Sequence, residues 1–165
     1  MKPAKSEYGG EMALPEPRLE HFCDLTVELS PIIEMGEGRG GKRRIIPIIG
    51  GRARGPGLTG KILNIGADWQ TIYRDGMAEL DARYAVESDD GAIIGIRNFG
   101  YRHGPEEVIA RLAAGEDVEP GAYYMRTQAR LETGDKRYER VNRMLFAGTG
   151  ARRKSAVEIS LYAIL

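Results

Sequence analysis

Met77-Ala78-Glu79-Leu80-Asp81-Ala82-Arg83-Tyr84-Ala85-Val86 decides the fold class. Leu80, Ala82, Tyr84 and Val86 fall on one face, and Glu79, Asp81 and Arg83 on the other. A period of two over ten residues is a half-buried strand. Ser88-Asp89-Asp90-Gly91 follows, and an Asp-Gly step supplies the positive φ that a tight hairpin turn needs. Ala92 to Phe99 then returns as the partner strand.

The same signal recurs on both sides of this hairpin. Upstream, His21 to Leu29 alternates, with Cys23, Leu25, Val27 and Leu29 on one face. Ile45 to Ile49 is a β-branched run holding Pro47, which suggests an edge or a bulge, and Thr59 to Ile65 is a further strand. Gly36 to Gly41 is a glycine-rich loop, and Gly50-Gly51 and Gly55-Pro56-Gly57 punctuate turns. Downstream, Pro105 to Gly115 has helical signals: proline at the first position, Glu106 and Glu107 in the first turn, and Val108, Ile109 and Leu112 at helical spacing. This one short helix is expected to cover a barrel end. Tyr123 to Leu131 and Ala156 to Ile164 alternate again. Tyr138 to Ala147 reads as a helical turn running into a strand, broken by Gly148 and Gly150.

The expected fold is mainly all-β: about eight antiparallel strands joined by short turns, with one short helix. Such a set manages its edges best by closing into a barrel, which either fills with side chains or holds one small ligand. Residues 1–17 are polar, hold Pro3, Pro15 and Pro17, and are expected to form an arm ahead of a single barrel domain over 18–165.

Composition narrows the function classes. Lys plus Arg and Asp plus Glu are 24 each, so no net positive charge argues for nucleic acid. Gly41-Lys42-Arg43-Arg44 and Arg152-Arg153-Lys154 read as solvated turns. The single Cys23 excludes an internal disulfide and, on an apolar strand face, reads as an inert packing residue. No apolar run is long enough for a transmembrane helix and no signal-peptide core is visible, so the expected compartment is cytoplasmic, with no membrane partner. With two histidines far apart, no metal and no cofactor are expected. Gly36-Glu37-Gly38-Arg39-Gly40-Gly41 lacks the strand-then-helix setting of a phosphate loop.

The candidate chemistry rests on polar residues in strand contexts. Asp81 and Arg83 share a strand face, Tyr124 and Arg126 share another, and Asp68 and Trp69 follow Gly66. If these faces point inward, carboxylate, guanidinium and phenol groups converge in one concave site, where a carboxylate can act as a base and an arginine can hold an oxyanion. If they point outward they meet water, and the apolar faces form the core.

Gly50-Gly51, Gly55-Pro56, Leu58, Gly60, Gly66-Ala67-Asp68-Trp69, Leu80-Asp81-Ala82-Arg83-Tyr84 and Asp90-Gly91-Ala92, followed by Glu132-Thr133-Gly134-Asp135, Tyr138, Asn142, Phe146, Gly148 and Gly150, carry a family resemblance over about residues 20 to 164. The chain resembles a bacterial and fungal domain-of-unknown-function family placed among lipocalin-like (calycin) barrels. At residues 62–66 it reads Ile-Leu-Asn-Ile-Gly where that pattern has a Pro-Gly-Gly type turn. The resemblance implies a lipocalin-like antiparallel barrel and a homo-oligomer, without an assigned activity, and it brings an inward role for Asp68, Asp81 and Arg83 level with the outward one.

Three readings follow. In the first, the barrel binds a small, largely apolar or aromatic molecule with an oxygen function: Arg83 anchors the oxygen, Asp68 and Asp81 are polar partners, and Trp69, Tyr124, Arg126 and Asn142 form the ligand-binding set. In the second, the same site is a cofactor-independent isomerase, lyase or cyclase, in which Asp68 or Asp81 moves a proton and Arg83 or Tyr124 stabilises the oxyanion. In the third, the barrel is filled and its role is structural, through oligomer contacts.

Overall fold

The Met77–Phe99 stretch folds as the expected hairpin in the structure, a computed structural model that describes residues 13–165. Its strands are β6 (Ala78–Ser88) and β7 (Ile93–His103), paired in register from Ala78 opposite Arg102 to Glu87 opposite Ile93. Gly91 takes φ +92° and donates its N–H to the Ser88 carbonyl, closing the turn.

The other strands are β1 (Leu19–Leu29), β2 (Ile33–Glu37), β3 (Lys42–Arg54), β4 (Gly60–Ile62), β5 (Gly66–Ile72), β8 (Tyr124–Glu132), β9 (Phe146–Arg152) and β10 (Ala156–Ile164). Every pairing is antiparallel, and β1 pairs with both β10 and β3, so the sheet closes on itself. Ten strands make eight staves. β4 and β5 follow one another between β3 and β6, while β1 and β2 follow one another along β3. The result is a closed antiparallel barrel in which each stave neighbours the next in sequence.

Pro47 lies inside β3 rather than at its end. It sits opposite the break between β1 and β2, where no ladder partner requires its missing N–H, and its carbonyl accepts from the Ser30 N–H at 3.0 Å. Gly148 and Gly150, expected to end a strand, lie within β9. A Cβ on Gly148 would collide with Thr127 Oγ1, and one on Gly150 would press on the Met125 side chain at 3.0 Å, so these glycines let β9 lie close over side chains of β8.

The interior has two unlike halves. One is a packed apolar core, with Cys23, Leu25, Val86, Ile94, Ile96, Phe146 and Leu161 fully buried among their neighbours. The 3₁₀ segment Lys136–Arg143 reaches this core through Val141 and the flanking Tyr138 and Met144. In the other half, helix α1 (Glu106–Ala113) packs Leu112, with Val108 and Ile109, against Ala78, Leu80, Tyr123 and Met125. Pro105 stands at its N-cap and Gly115 takes φ +80° just past its end. The helix packs over the start of β6 and the residues leading into β8, and Leu80 and Met125 beneath it also line a cavity of about 30 Å³.

Of the arm expected over residues 1–17, residues 1–12 lie outside the described residues; 13–17 are exposed and without regular structure.

Candidate functional site

Alternation sends one face of each strand inward, and inside the α1 half that face carries polar groups. On β7 the inward series is Ile94, Ile96, Asn98, Gly100 and Arg102, all buried. Asp68 and Gln70 come from β5, Arg44 precedes the buried Ile46 and Ile48 on β3, and Arg152 follows Phe146, Gly148 and Gly150 on β9. Tyr84 on β6 and Thr127 on β8 complete the set. All of these but Arg44, Ile94, Ile96, Gly100 and the β9 residues before Arg152 line a cavity of about 30 Å³ whose apolar walls include Val27, Ile46, Ile48, Leu80, Met125 and Ile159. Space of that size admits the centre of one or two waters. The cavity is small, and a larger occupant would need its lining side chains to move apart.

A short relay organises the mouth. Arg44 Nε donates to Gln70 Oε1 at 2.8 Å, and Gln70 Nε2 donates to Asp68 Oδ2 at 2.7 Å. Asp68 Oδ1 accepts from the Asp81 backbone N–H at 2.9 Å. Burial raises the Asp68 pKa above the usual carboxylate range; the Gln70 and Asp81 hydrogen bonds and the charge of Arg102 oppose that rise.

Arg102 is 8% exposed, and among the described residues its guanidinium makes no hydrogen bond or ion pair. Burial, then the like charges of Arg44 and Arg152, pull its pKa down to about 10. Burial also lowers Arg44 and Arg152, although Asp68 offsets part of this for both. Three guanidiniums therefore face one reluctant carboxylate, and the slot is electropositive. An isolated buried charge is unfavourable by several kcal/mol unless something pairs with it.

Deeper in, Tyr84 Oη, Asn98 Oδ1 and Thr127 Oγ1 are buried without hydrogen-bond partners. Tyr84 and Asn98 are 4% and 2% exposed. Burial drives the Tyr84 phenol well above its ordinary pKa; Asn98 draws it the other way, without reaching hydrogen-bond geometry. Cys23, in the apolar half, is pushed up to about 12 by burial, which leaves its thiol unreactive.

Of the residues singled out from sequence, Asp68 alone lines this cavity. The expectation that the polar faces of β6 and β8 point inward is corrected. Leu80, Tyr84 and Val86 on β6, and Met125, Ala129 and Leu131 on β8, are the buried members, because apolar burial outweighs the gathering of charges. Arg83 is therefore exposed, and the Asp81 carboxylate faces an outer groove, with Arg97 Nε at 3.9 Å. Trp69 and Tyr124 are 45% and 44% exposed on the outer surface, and Arg126 lies over the Tyr124 ring at 5.4 Å. Asn142 exchanges two 2.9 Å hydrogen bonds with the Thr133 backbone beyond the end of β8. The structure does not bring these six to the cavity. Arg102 and Asn98 went unselected, and Arg44 and Arg152, read from sequence as parts of solvated turns, lie instead on β3 and β9; each of the four shares a strand face with buried apolar residues.

The family model described as "Protein of unknown function (DUF3237)" matches residues 17–164. The chain belongs to this family. A UPF0311 protein of Rhodopseudomonas palustris (strain TIE-1) is 41% identical over 151 residues, covering 90% of this chain and 99% of that protein. A crystal structure of a conserved protein of unknown function from Rhodopseudomonas palustris superposes with a TM-score of 0.88 at 39% identity, over 92% of this chain and all of that one. A "beta-barrel like protein" from Acinetobacter baumannii gives 0.83 at 40% identity, over 94% of this chain and all of that one. An enzyme from Penicillium herquei shares the fold at a TM-score of 0.70 and 18% identity, over 94% of this chain and 99% of that one. Among the described residues no helix is long and apolar enough to cross a membrane.

Proposed function

We propose that this DUF3237 barrel binds a small, flat, mostly apolar molecule through an anionic oxygen seated on Arg102. The observation that carries this reading is the buried Arg102 guanidinium, without a partner and flanked by Arg44 and Arg152 at the mouth of an apolar slot. A carboxylate or enolate oxygen supplies the missing counter-charge, and the aliphatic walls take the body of the ligand. The anchoring role first read onto Arg83 thus passes to Arg102. Against the filled, structural barrel stand the buried polar groups of this half, which an all-apolar filling would leave without a role.

The test is calorimetric titration and thermal shift with benzoate and 2-naphthoate on the wild type and on Arg102→Met. Ligand at a hundred times its dissociation constant adds about 2.7 kcal/mol to stability. A shift in the wild type that is absent in the variant supports the reading; identical behaviour of the two proteins removes it.

A second reading is favoured by Asp68. A carboxylate whose pKa is raised by burial, beside arginines able to hold an enolate, is arranged as a general base for a cofactor-independent isomerisation. Asp68 would take a proton from carbon next to a carbonyl, Arg102 would hold the enolate oxygen, and Asp68 would return the proton. Phenylpyruvate in deuterated water tests this: protein-dependent deuterium exchange at C3 should vanish in Asp68→Asn while binding persists. Exchange at the buffer rate with the wild type leaves binding alone.

A further inference from the structure

Tyr84, Asn98 and Thr127 form a second polar point that the anion seat does not use. Asn98 and Arg102 are both inward residues of β7, four positions apart, which separates their Cα atoms by about 13 Å along the strand. Between them stands Gly100, whose lack of a side chain lets the β8 backbone and the Thr127 methyl group lie against it. Ala82, directly across from both Asp68 and Asn98 in the register, is similarly small. One cavity lining thus carries a cationic end at Arg102 and a neutral polar end at Tyr84, Asn98 and Thr127, with the small Ala82 beside it.

The neutral end has a definite hydrogen-bonding character. Asn98 Oδ1 can only accept, whereas the hydroxyls of Tyr84 and Thr127 can donate or accept. A carbonyl would leave Asn98 Oδ1 unpartnered. A hydroxyl satisfies it, donating to Asn98 while accepting from Tyr84 or Thr127. Buried polar atoms without partners are unfavourable, so a group that pairs them gains more than an ordinary hydrogen bond between solvated partners.

Resting on the anion-binding reading above, we infer that the ligand class is the hydroxyaryl carboxylates: a flat ring with an acidic group at one end for Arg102 and a hydroxyl at the other for Tyr84, Asn98 and Thr127. The competing occupant of the inner point is water, which the cavity is large enough to hold. Water would satisfy the same atoms and give a ligand hydroxyl no advantage.

The experiment compares matched pairs by calorimetry: benzoate with 4-hydroxybenzoate, and cinnamate with 4-hydroxycinnamate. In the wild type the hydroxyl of at least one pair should tighten binding about tenfold. In Tyr84→Phe and Asn98→Leu that ratio should fall to about one, whatever the affinity of the plain acid in each variant; Thr127→Val serves as a third variant should either fail to fold. Arg102→Met should weaken both members of a pair equally. Equal affinities within both pairs in the wild type, with binding still dependent on Arg102, would overturn the hydroxyl assignment and leave the anion seat standing. If none of the four acids binds, the anion seat falls and this inference falls with it.

Discussion

Arg44 and Asp68 are joined only through Gln70, which accepts from the guanidinium at 2.8 Å and donates to the carboxylate at 2.7 Å. A direct ion pair would neutralise both charges locally. The interposed amide instead fixes the orientation of each and leaves the Asp68 carboxyl facing the slot. Gln70 is itself 2% exposed, so it has no solvent to fall back on.

Replacing Gln70 with leucine keeps the volume and removes both hydrogen bonds, leaving one buried face of Arg44 and one of Asp68 unpartnered. The expected loss is about 2 kcal/mol of folding stability, within the range for stranding buried polar groups. Urea unfolding of the variant against the wild type measures it. A loss near zero would mean that solvent reaches the relay freely.

The pH dependence follows from Asp68. Burial raises its folded pKa above the ordinary carboxylate value, so between those two pKa values the folded state binds more protons than the unfolded state. Its contribution to stability is therefore most favourable at or below the ordinary carboxylate pKa and is lost as pH rises through the folded pKa. Asp24, Asp90 and Asp135 are lowered and act in the opposite sense, but they do so equally in wild type and Asp68→Asn. Subtracting the two melting-temperature profiles from pH 3.5 to 8 isolates Asp68. The Asn variant should gain on the wild type as pH rises; a flat difference would show that the Asp68 carboxyl titrates normally.

The barrel was legible because its evidence is collective. The β6 and β7 alternation, the Asp90-Gly91 turn and the apolar series Cys23, Leu25 and Val27 all agree, and a misjudged residue changes little. The site was less legible because it is built from exceptions to that pattern. Asn98 and Arg102 stand in phase with Ile94 and Ile96, and Arg44 stands in phase with Ile46 and Ile48. A polar residue on the face that must be buried is a stronger signal than a whole polar face, which water satisfies without help. Asp81 and Arg83 belonged to such a polar face, and water and Arg97 are what they meet. Only closure of the barrel brings Arg44, Asp68, Arg102 and Arg152 together, from strands far apart in the chain.

Gly148 tests the packing that shapes the slot. An alanine there would drive its Cβ into Thr127 Oγ1 and crowd Ile159 and Leu161 at 3.3 Å. Overpacking of this kind is destabilising by about 1–3 kcal/mol. The loss should appear in the unfolding midpoint of Gly148→Ala, and pairing it with Thr127→Ala, which removes the obstructing hydroxyl, should recover part of it. Equal stabilities of the single and double variants would show that β9 moves aside at no expense.

Arg102 separates stability from function most sharply. At neutral pH it remains charged even with its pKa pulled down to about 10, and among the described residues nothing neutralises it directly. Substituting methionine removes a buried charge together with its repulsion from Arg44 and Arg152, which outweighs the lost attraction to Asp68, and keeps an apolar side chain of comparable reach. The ligand-free variant should therefore melt at or above the wild-type temperature. Benzoate should close or reverse the gap by stabilising only the wild type. A residue held for folding would behave in the opposite way, with Arg102→Met unfolding earlier whether or not an anion is present. Melting curves of both proteins, with and without benzoate, distinguish a guanidinium kept for a ligand from one kept for the barrel.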